Sequence, residues 1–296
     1  MEFAVNYSQA AAELLKAGEI QVDRLKCPAW PDLIAAVQAE HPVYVHFPLR
    51  VGAGVGDALD SDTGGPADWE MIEALIAQTD ARQVNLHLMP FIDDHPSIPI
   101  DSTETAHVEM LTECAIKDVC AVVERFGAER VILENIPFFG DWGLLIAALP
   151  QVISHVIEET GCGLLLDLAH AWLAARYLGI GAREYVGALP TDRIREIHVT
   201  GVQHIDERWV ERARRAGVAE EDIQNHAGRV MDHLPMTEAD WEFFTWAVEQ
   251  IRSGVWARPW VVTFEYGGLT GFFKATTDKD VLVDQIPRLH ALVAGT

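Results

Sequence analysis

Two short stretches decide the fold of this chain: Val131-Ile-Leu-Glu-Asn135 and Gly163-Leu-Leu-Leu-Asp-Leu-Ala-His170. Each is an aliphatic run of strand length that stops at an acidic residue. Such runs, bounded by glycine or a charge, are typical of strands buried on both faces, as in parallel sheets. In an eight-stranded α/β barrel the carboxyl end of every strand opens onto the catalytic face. The two stretches therefore predict that Glu134 and Asp167 lie in one site.

The same pattern recurs in strand-like segments that contain or end on a metal-capable residue: Val43-Tyr-Val-His46, Val84-Asn-Leu-His87, Ile194-Arg-Glu-Ile-His198 and Val261-Val-Thr-Phe-Glu265. Helical segments separate these strands along the whole chain. This alternation indicates the α/β class and favours a single (β/α)8 TIM barrel over residues 1–296. A doubly wound sheet is the alternative, but it does not need a ligand-type residue at nearly every strand end.

Connections between the predicted elements are long at three places. Segments 48–67, 89–102 and 201–235 are expected to lie over the carboxyl-terminal face of the barrel. The first is rich in glycine, which predicts a mobile cover for the site. The third is charged and is expected to hold the seventh strand.

Composition limits the classes of function. The 296 residues are 49% apolar, enough for a large core, and the net charge is −23 from 45 acidic and 22 basic residues. Such a surface repels nucleic acid and anionic lipid. Four cysteines without paired spacing are expected to be reduced thiols. No signal peptide and no apolar run of roughly 20 residues is visible, so a cytoplasmic location is expected and no membrane partner.

Eight residues at strand ends or in the loops above them are candidate metal ligands: His46, His87, Glu134, Asp167, His170, His198, His226 and Glu265. Imidazole and carboxylate without thiolate suit divalent iron, manganese or zinc. Eight ligands exceed what one ion needs, and carboxylates bridge ions. The predicted bridging and catalytic acids are Glu134, Asp167 and Glu265. A single strand-end histidine is more often structural, but eight on neighbouring strands favour a metal centre.

Three further residues are candidates for contact with a substrate. Arg50 and Lys274 are rare cations on predicted mouth loops of an acidic protein, so they could meet an anionic group. Asn135 directly follows Glu134 at the end of its strand.

The order of these ligands along a barrel resembles the xylose isomerase-like superfamily, which includes the endonuclease IV type of nuclease with three zinc ions. Three motifs look more like the multinuclear non-haem iron-dependent oxidative enzymes that modify ribosomally made peptides: Val131-Ile-Leu-Glu-Asn-Ile-Pro137, Gly163-Leu-Leu-Leu-Asp167 and Ile194-Arg-Glu-Ile-His-Val-Thr-Gly201. The resemblance spans roughly residues 43–266.

The resemblance implies two or three divalent ions, iron first, and oxidation of a peptide at a cysteine thiolate. It also implies a partner protein that delivers a leader peptide. The alternative is a metal-dependent sugar isomerase or epimerase acting on a small molecule, in which Glu134 and Glu265 move a proton beside a polarised carbonyl. A third hypothesis is a metal-free binding protein. The net charge disfavours an endonuclease.

The sequence departs from the peptide-modifying pattern at two positions. The family's Asp-x-His after the sixth strand falls at Gln224 and His226, so Asp222 is the alternative acid. His170 stands where those enzymes more often carry asparagine, and there the chain is more similar to the nuclease and epimerase branches.

Overall fold

Aliphatic and β-branched runs supply most strands of this structure, a computed structural model that describes residues 1–79 and 81–295. Such residues favour a pleated surface that is buried on both faces. The strands are β1 (Glu2–Asn6), β2 (Arg24–Pro28), β3 (Val43–His46), β4 (Leu49–Val51), β5 (Leu59–Asp60), β6 (Val84–Leu88), β7 (Val131–Glu134), β8 (Gly163–Asp167), β9 (Ile194–Val199), β10 (Gly201–His204), β11 (Val230–Leu234) and β12 (Val261–Phe264).

Amphipathic segments between the strands form helices, and the apolar faces of most of them join the main core. Ser8 caps the first helix, and Thr237 forms a capping box with Asp240. The helices are α1 (Gln9–Ala17), α2 (Pro31–Gln38), α3 (Trp69–Thr79), α4 (Thr105–Phe126), α5 (Pro150–Thr160), α6 (Leu168–Leu178), α7 (Ala182–Gly187), α8 (Glu207–Arg215), α9 (Glu220–His226), α10 (Glu238–Arg252), α11 (Gly271–Thr276) and α12 (Lys279–Ala294).

Parallel strands run around a barrel in the order β1, β2, β3, β6, β7, β8, β9 and β12, and β12 pairs with β1. At the seam between β3 and β6, β4 follows β3 in the chain and pairs with β6. The Asn85 side chain bridges the same seam, accepting from Phe47 N at 2.7 Å and donating to Phe47 O at 3.0 Å. The predicted TIM barrel is confirmed, whereas its extent as one domain over residues 1–296 stays a prediction.

The strand count of the barrel differs from the expectation in two places. Sequence patterns missed β2, because Arg24-Leu-Lys-Cys-Pro28 carries two cations and looks like a surface segment. The seventh strand expected within residues 201–235 is instead an antiparallel pair, β10 and β11, outside the barrel sheet. Helices α8 and α9 lie between these two strands in the chain, and the segment has a separate apolar cluster that includes Phe272 of α11.

Part of the glycine-rich segment 48–67, which was expected to be a mobile cover, is anchored to a helix. Buried Asp118 of α4 accepts backbone N–H groups from Gly52, Gly54 and Gly56 at 3.0, 2.8 and 2.6 Å. These three glycines have positive φ angles of 108°, 76° and 81°, a conformation that other residues adopt only with strain. The glycines therefore serve a fixed turn around one carboxylate.

Two expectations from composition can be compared with the structure. The four cysteines are free, and Cys27 and Cys162 are buried. Over the residues that the structure describes, no helix has the length and apolar character needed to cross a bilayer.

Candidate metal centre

Glu134 is the centre of a cluster of histidines at the carboxyl ends of the barrel strands. It ends β7 and is 2% exposed. Its Oε2 lies 3.2 Å from His87 Nε2 and 3.6 Å from His46 Nε2, and its Oε1 lies 3.4 Å from His170 Nδ1 and 3.7 Å from His198 Nδ1. The strand register explains part of this arrangement, because Glu134 lies opposite His87. One carboxylate thus contacts imidazoles from four elements of the fold.

Asp167 joins the cluster from the end of β8, opposite His198 of β9. Its Oδ2 lies 3.8 Å from His170 Nε2 and 4.0 Å from His198 Nδ1. The other oxygen, Oδ1, accepts the backbone N–H of His170 and caps α6. Asp167 therefore fixes the start of the helix that carries His170 while leaving one oxygen directed to the cluster.

Glu265 follows β12 and completes the group. Its Oε1 lies 3.2 Å from His198 Nδ1. The same carboxylate forms an ion pair with the ammonium of Lys26, from β2. Glu265 and Lys26 are 4% and 7% exposed, so both charges are removed from bulk water. Lys26 was not among the residues that sequence patterns singled out.

Asp232 is a second group that sequence patterns missed. It lies in β11, and its Oδ2 is 3.1 Å from His170 Nε2. The neighbouring His233 has an unusual positive φ of 58° and bonds through Nδ1 to the Glu265 carbonyl at 2.7 Å. The antiparallel pair of β10 and β11 thus brings an acid to His170. The dipeptide Asp232-His233 was the available signal, but it lies outside any barrel strand.

Three histidines are oriented so that one ring nitrogen faces the cluster. His87 Nδ1 bonds to Leu49 O at 2.9 Å, and His170 Nδ1 bonds to Asn135 O at 2.9 Å. Because these carbonyls only accept, each Nδ1 carries a proton, and Nε2 is the nitrogen with a lone pair when the ring is neutral.

His198 is oriented through its other ring nitrogen, Nε2, and its partner is a carboxylate. Its Nε2 bonds to buried Glu196 at 2.8 Å, and Glu196 also accepts from the Tyr44 hydroxyl at 2.9 Å. The Nδ1 of His198 is therefore the free nitrogen. Metal-binding histidines almost always have such a partner on the other ring nitrogen.

The centre has unsatisfied polar atoms that fit a cation. Within the described residues, Glu134 Oε2, Asp167 Oδ2 and His198 Nδ1 are buried without a hydrogen-bond partner. Buried polar atoms normally have partners, so each unpaired atom needs an explanation. Sets of three ligand atoms lie within 4.8 Å of one another: His46–Glu134–His198, Glu134–Asp167–His170 and Asp167–His198–Glu265. Nitrogen and oxygen donors without thiolate suit Fe²⁺, Mn²⁺ or Zn²⁺.

The charges in the centre are strongly coupled. Burial opposes ionisation of Glu134, but the surrounding imidazoles, His87 first, hold its pKa well below the usual range. Burial and nearby Lys26 hold the pKa of His46 well below its usual range. Burial opposes protonation of His170, but Asp167 and Asp232 outweigh it and raise its pKa to about 10. A cation that binds His170 must therefore displace a proton.

Burial also lowers the pKa of Lys26, to about 8, although Glu134, Glu196 and Asp167 oppose the shift.

Two residues predicted to meet substrate have other partners. Arg50 is 3% exposed, and its NH1 and NH2 donate to Asp94 at 2.6 and 3.2 Å, with Phe91 stacked 4.2 Å from its guanidinium. Asn135 is fully buried and uses its side chain on the backbone of Asp167, donating to the carbonyl and accepting the N–H at 2.9 Å each. Both side chains hold the architecture together, and their contact with substrate stays a prediction. Lys274 is exposed on α11, and its contact with substrate stays a prediction.

His226 is not brought to the cluster. Its ring stacks on Phe272 with centroids 4.7 Å apart, and its Nδ1 bonds to Asp222 O at 2.7 Å. The alternative acids are occupied as well, since Asp222 Oδ2 accepts from Phe272 N at 2.9 Å and Gln224 donates to Glu220 at 2.8 Å. Among the described residues, the groups that could hold an ion do not include His226, because α9 packs in the apolar cluster of the 201–235 segment, and Asp232 is the acid that reaches the centre.

Fold and site together define a xylose isomerase-like TIM barrel with a buried cluster of imidazoles and carboxylates at its mouth. The chain belongs to the family described as RiPP precursor modification enzyme MbnB/TglH/ChrH, whose model matches residues 28–245. These enzymes act on precursors of ribosomally synthesised, post-translationally modified peptides. The resemblance seen in the sequence is thereby confirmed.

Known relatives are distant. Over 174 residues the chain is 28% identical to a UPF0276 protein of Caulobacter vibrioides, covering 57% of this chain and 58% of that relative. Over 188 residues it is 26% identical to a UPF0276 protein of Bordetella parapertussis, covering 62% of this chain and 52% of the relative. The chain thus matches little more than half the length of these relatives.

Among solved structures, a D-psicose 3-epimerase superposes with a TM-score of 0.56 at 10% identity, covering 100% of this chain and 98% of the other. This similarity is evidence for the fold alone.

Proposed function

We propose that this chain is a multinuclear non-haem iron enzyme that oxidises a ribosomally made peptide at a cysteine thiolate. Membership of a peptide-modifying family supports the substrate class. The observation that supports a bound metal is a group of three buried polar atoms without hydrogen-bond partners: Glu134 Oε2, Asp167 Oδ2 and His198 Nδ1. Two or three divalent ions would satisfy them, iron first, with manganese or zinc as alternatives.

The proposal assigns a role to each residue of the cluster. Glu134, Asp167 and Glu265 would hold the ions as the shared acids, and Asp232 would be a further carboxylate ligand beside His170. The terminal ligands are the oriented imidazoles His46, His87, His170 and His198. When bound, iron supplies the oxygen and one-electron chemistry that amino-acid side chains lack. The protein holds the donors in a buried site, with one ring nitrogen each of His87, His170 and His198 directed to the cluster.

Elemental analysis of anaerobically purified protein tests this proposal. We expect two or three iron ions per chain, and oxygen uptake when a cysteine-containing peptide substrate is supplied. Glu134→Gln keeps the shape but removes the central charge, so it should lower metal occupancy and abolish turnover. Its matched control is His226→Ala, which should retain the metal because His226 lies against Phe272. Full occupancy in the Glu134 variant would show that the centre has been assigned to the wrong residues.

A metal-dependent sugar epimerase is the second candidate, for one specific reason. Glu134 and Glu265 both approach His198 Nδ1, at 3.7 and 3.2 Å, so two carboxylates lie close to one atom. A pair of acids can exchange a proton beside a carbonyl. Incorporation of solvent deuterium into a ketohexose by the Mn²⁺-loaded chain, without oxygen uptake, would favour this candidate over the oxidative one.

The proposal also includes a cytoplasmic location and a separate partner protein that binds a leader peptide. The surface carries a net charge of −23, which favours a peptide over nucleic acid or an anionic membrane as the partner.

A further inference from the structure

A cavity of about 290 Å³ opens beside the candidate ligands His46 and His87. Its wall includes the half-exposed ring of Trp30 together with Tyr7 and Leu269, so part of the lining is apolar. Ligand pockets commonly measure roughly 300–1,000 Å³, and this one is at the small end of that range. Its volume suits one amino-acid residue or a molecule of similar size. Since two histidines of the metal centre line it, a ligand here lies next to that centre.

Lys26 supplies the charge in this cavity. Among the described residues that line it, Lys26 is the lone lysine or arginine. Its ammonium has three N–H donors. Within the described part of the chain, Glu265 is the one acceptor paired with them, so two donors remain for a ligand. A buried lysine with unused donors on a cavity wall is a ready binding group for an anion.

The other polar lining residues restrict the kind of anion. Asn6 and Ser61 are neutral hydrogen-bonding groups, while Asp62 is a carboxylate on the same cavity. A dianion such as a phosphate monoester is strongly repelled by Asp62, because the one cation on the cavity is already paired with Glu265. A carboxylate carries a single charge and accepts hydrogen bonds from both an ammonium and an amide. The cavity therefore fits a monoanion with an apolar flank.

We infer that this cavity binds a carboxylate of the substrate through Lys26, and that Lys26 thereby positions the substrate beside His46 and His87. The inference rests on the proposed function, because it places the substrate next to the metal centre. It goes further by naming the recognised group, a free carboxylate on a peptide terminus or acidic side chain. Lys26 is a positioning residue in this arrangement and takes no part in the oxidation.

The test compares N-acetylalanine with N-acetylalaninamide, two probes that differ in the carboxylate. Their dissociation constants are measured by ligand-observed NMR on the protein as purified, with its metal content recorded. We expect the acid to bind the unmodified chain about tenfold more tightly or better, since a hydrogen bond between charged partners is worth that much. Lys26→Gln should reduce the affinity of the acid to that of the amide. The matched control Lys16→Gln removes an exposed lysine of α1 and should keep the preference.

Equal affinities of the two probes for the unmodified chain would overturn the inference. So would a preference for the acid that persists in Lys26→Gln, because the carboxylate would then be bound by another group. The comparison on the unmodified chain needs no variant, so it decides the question even if Lys26→Gln does not fold. Failure of the chain to retain metal would instead count against the proposed function, and the two failures are distinguishable.

Discussion

Replacing Glu196 by glutamine tests whether His198 is held ready for a metal ion. Glu196 is 2% exposed and accepts from His198 Nε2 at 2.8 Å and from the Tyr44 hydroxyl at 2.9 Å. The glutamine oxygen can still accept both bonds, so the shape is preserved while the charge is lost. Loss of such a partner costs about 10–100-fold in metal affinity. This corresponds to about 1.4–2.8 kcal/mol of binding free energy.

The assay is competition between the protein and a chelator of known Zn²⁺ affinity, with unfolding of the metal-free chain measured in parallel. Metal-free stability should change little, because both hydrogen bonds have an acceptor in either form. Tyr44→Phe is the matched control, since it removes a neighbouring hydroxyl and keeps the Glu196 charge; we expect a smaller loss of affinity. Zn²⁺ affinity of a folded Glu196→Gln variant within about a factor of two of the unmodified chain would refute the reasoning.

Three other predictions follow from the contacts. Asp118→Ala leaves three glycine N–H groups without their acceptor, so urea unfolding should show a loss of about 3 kcal/mol; a loss below about 1 kcal/mol would contradict the anchoring role. Although burial opposes it, the hydrogen bond from Arg50 lowers the pKa of Asp94 below its ordinary 3.8. The ionised Asp94 therefore stabilises the fold above pH 3.8, and this stabilisation is lost as pH falls through the lowered pKa. The free energy of unfolding of the unmodified chain should exceed that of Asp94→Asn above pH 3.8 and approach it at lower pH; a difference that does not depend on pH would refute the reasoning. His226→Ala should lower the melting temperature while keeping the metal content, because it removes a ring stacked on Phe272; an unchanged melting temperature with metal loss would reverse that assignment.

The barrel could be predicted because a buried parallel strand is recognisable in the sequence as an apolar run, and the residue that stops the run marks the end of the strand. Val131–Glu134 and Gly163–Asp167 are apolar up to the residue that leaves the sheet, and register then places neighbouring ends together. Asp167 lies opposite His198 for this reason, without any long-range information. Residues on such ends share a site whenever the fold class is right.

Asp232 and His226 show where that argument stops. Both lie in the segment between β9 and β12, whose position over the barrel depends on packing within its own apolar cluster. The motif spacing predicted that a ligand comes from α9. In the structure, the ring of His226 packs against Phe272, and it is Asp232 of β11 that contacts His170. The neighbouring His233, also in β11, has a positive φ of 58°. The periodicity of the local sequence does not show which of the two segments, α9 or β11, approaches the mouth of the barrel.

The position of Lys26 in the site could not be predicted from the sequence, for a different physical reason. A lysine in a short strand with another cation is normally solvated, because burying an ammonium costs several kcal/mol unless it is paired. The cost is met here by Glu265, 239 positions further along the chain, and β2 and β12 are separated in the sheet by β1 alone. Pairing does not use all three donors of the ammonium, however, and a group that served stability alone could be replaced by an apolar residue. The position of Lys26 on the cavity beside His46 therefore favours a role in recognising a ligand over a role in holding the barrel together.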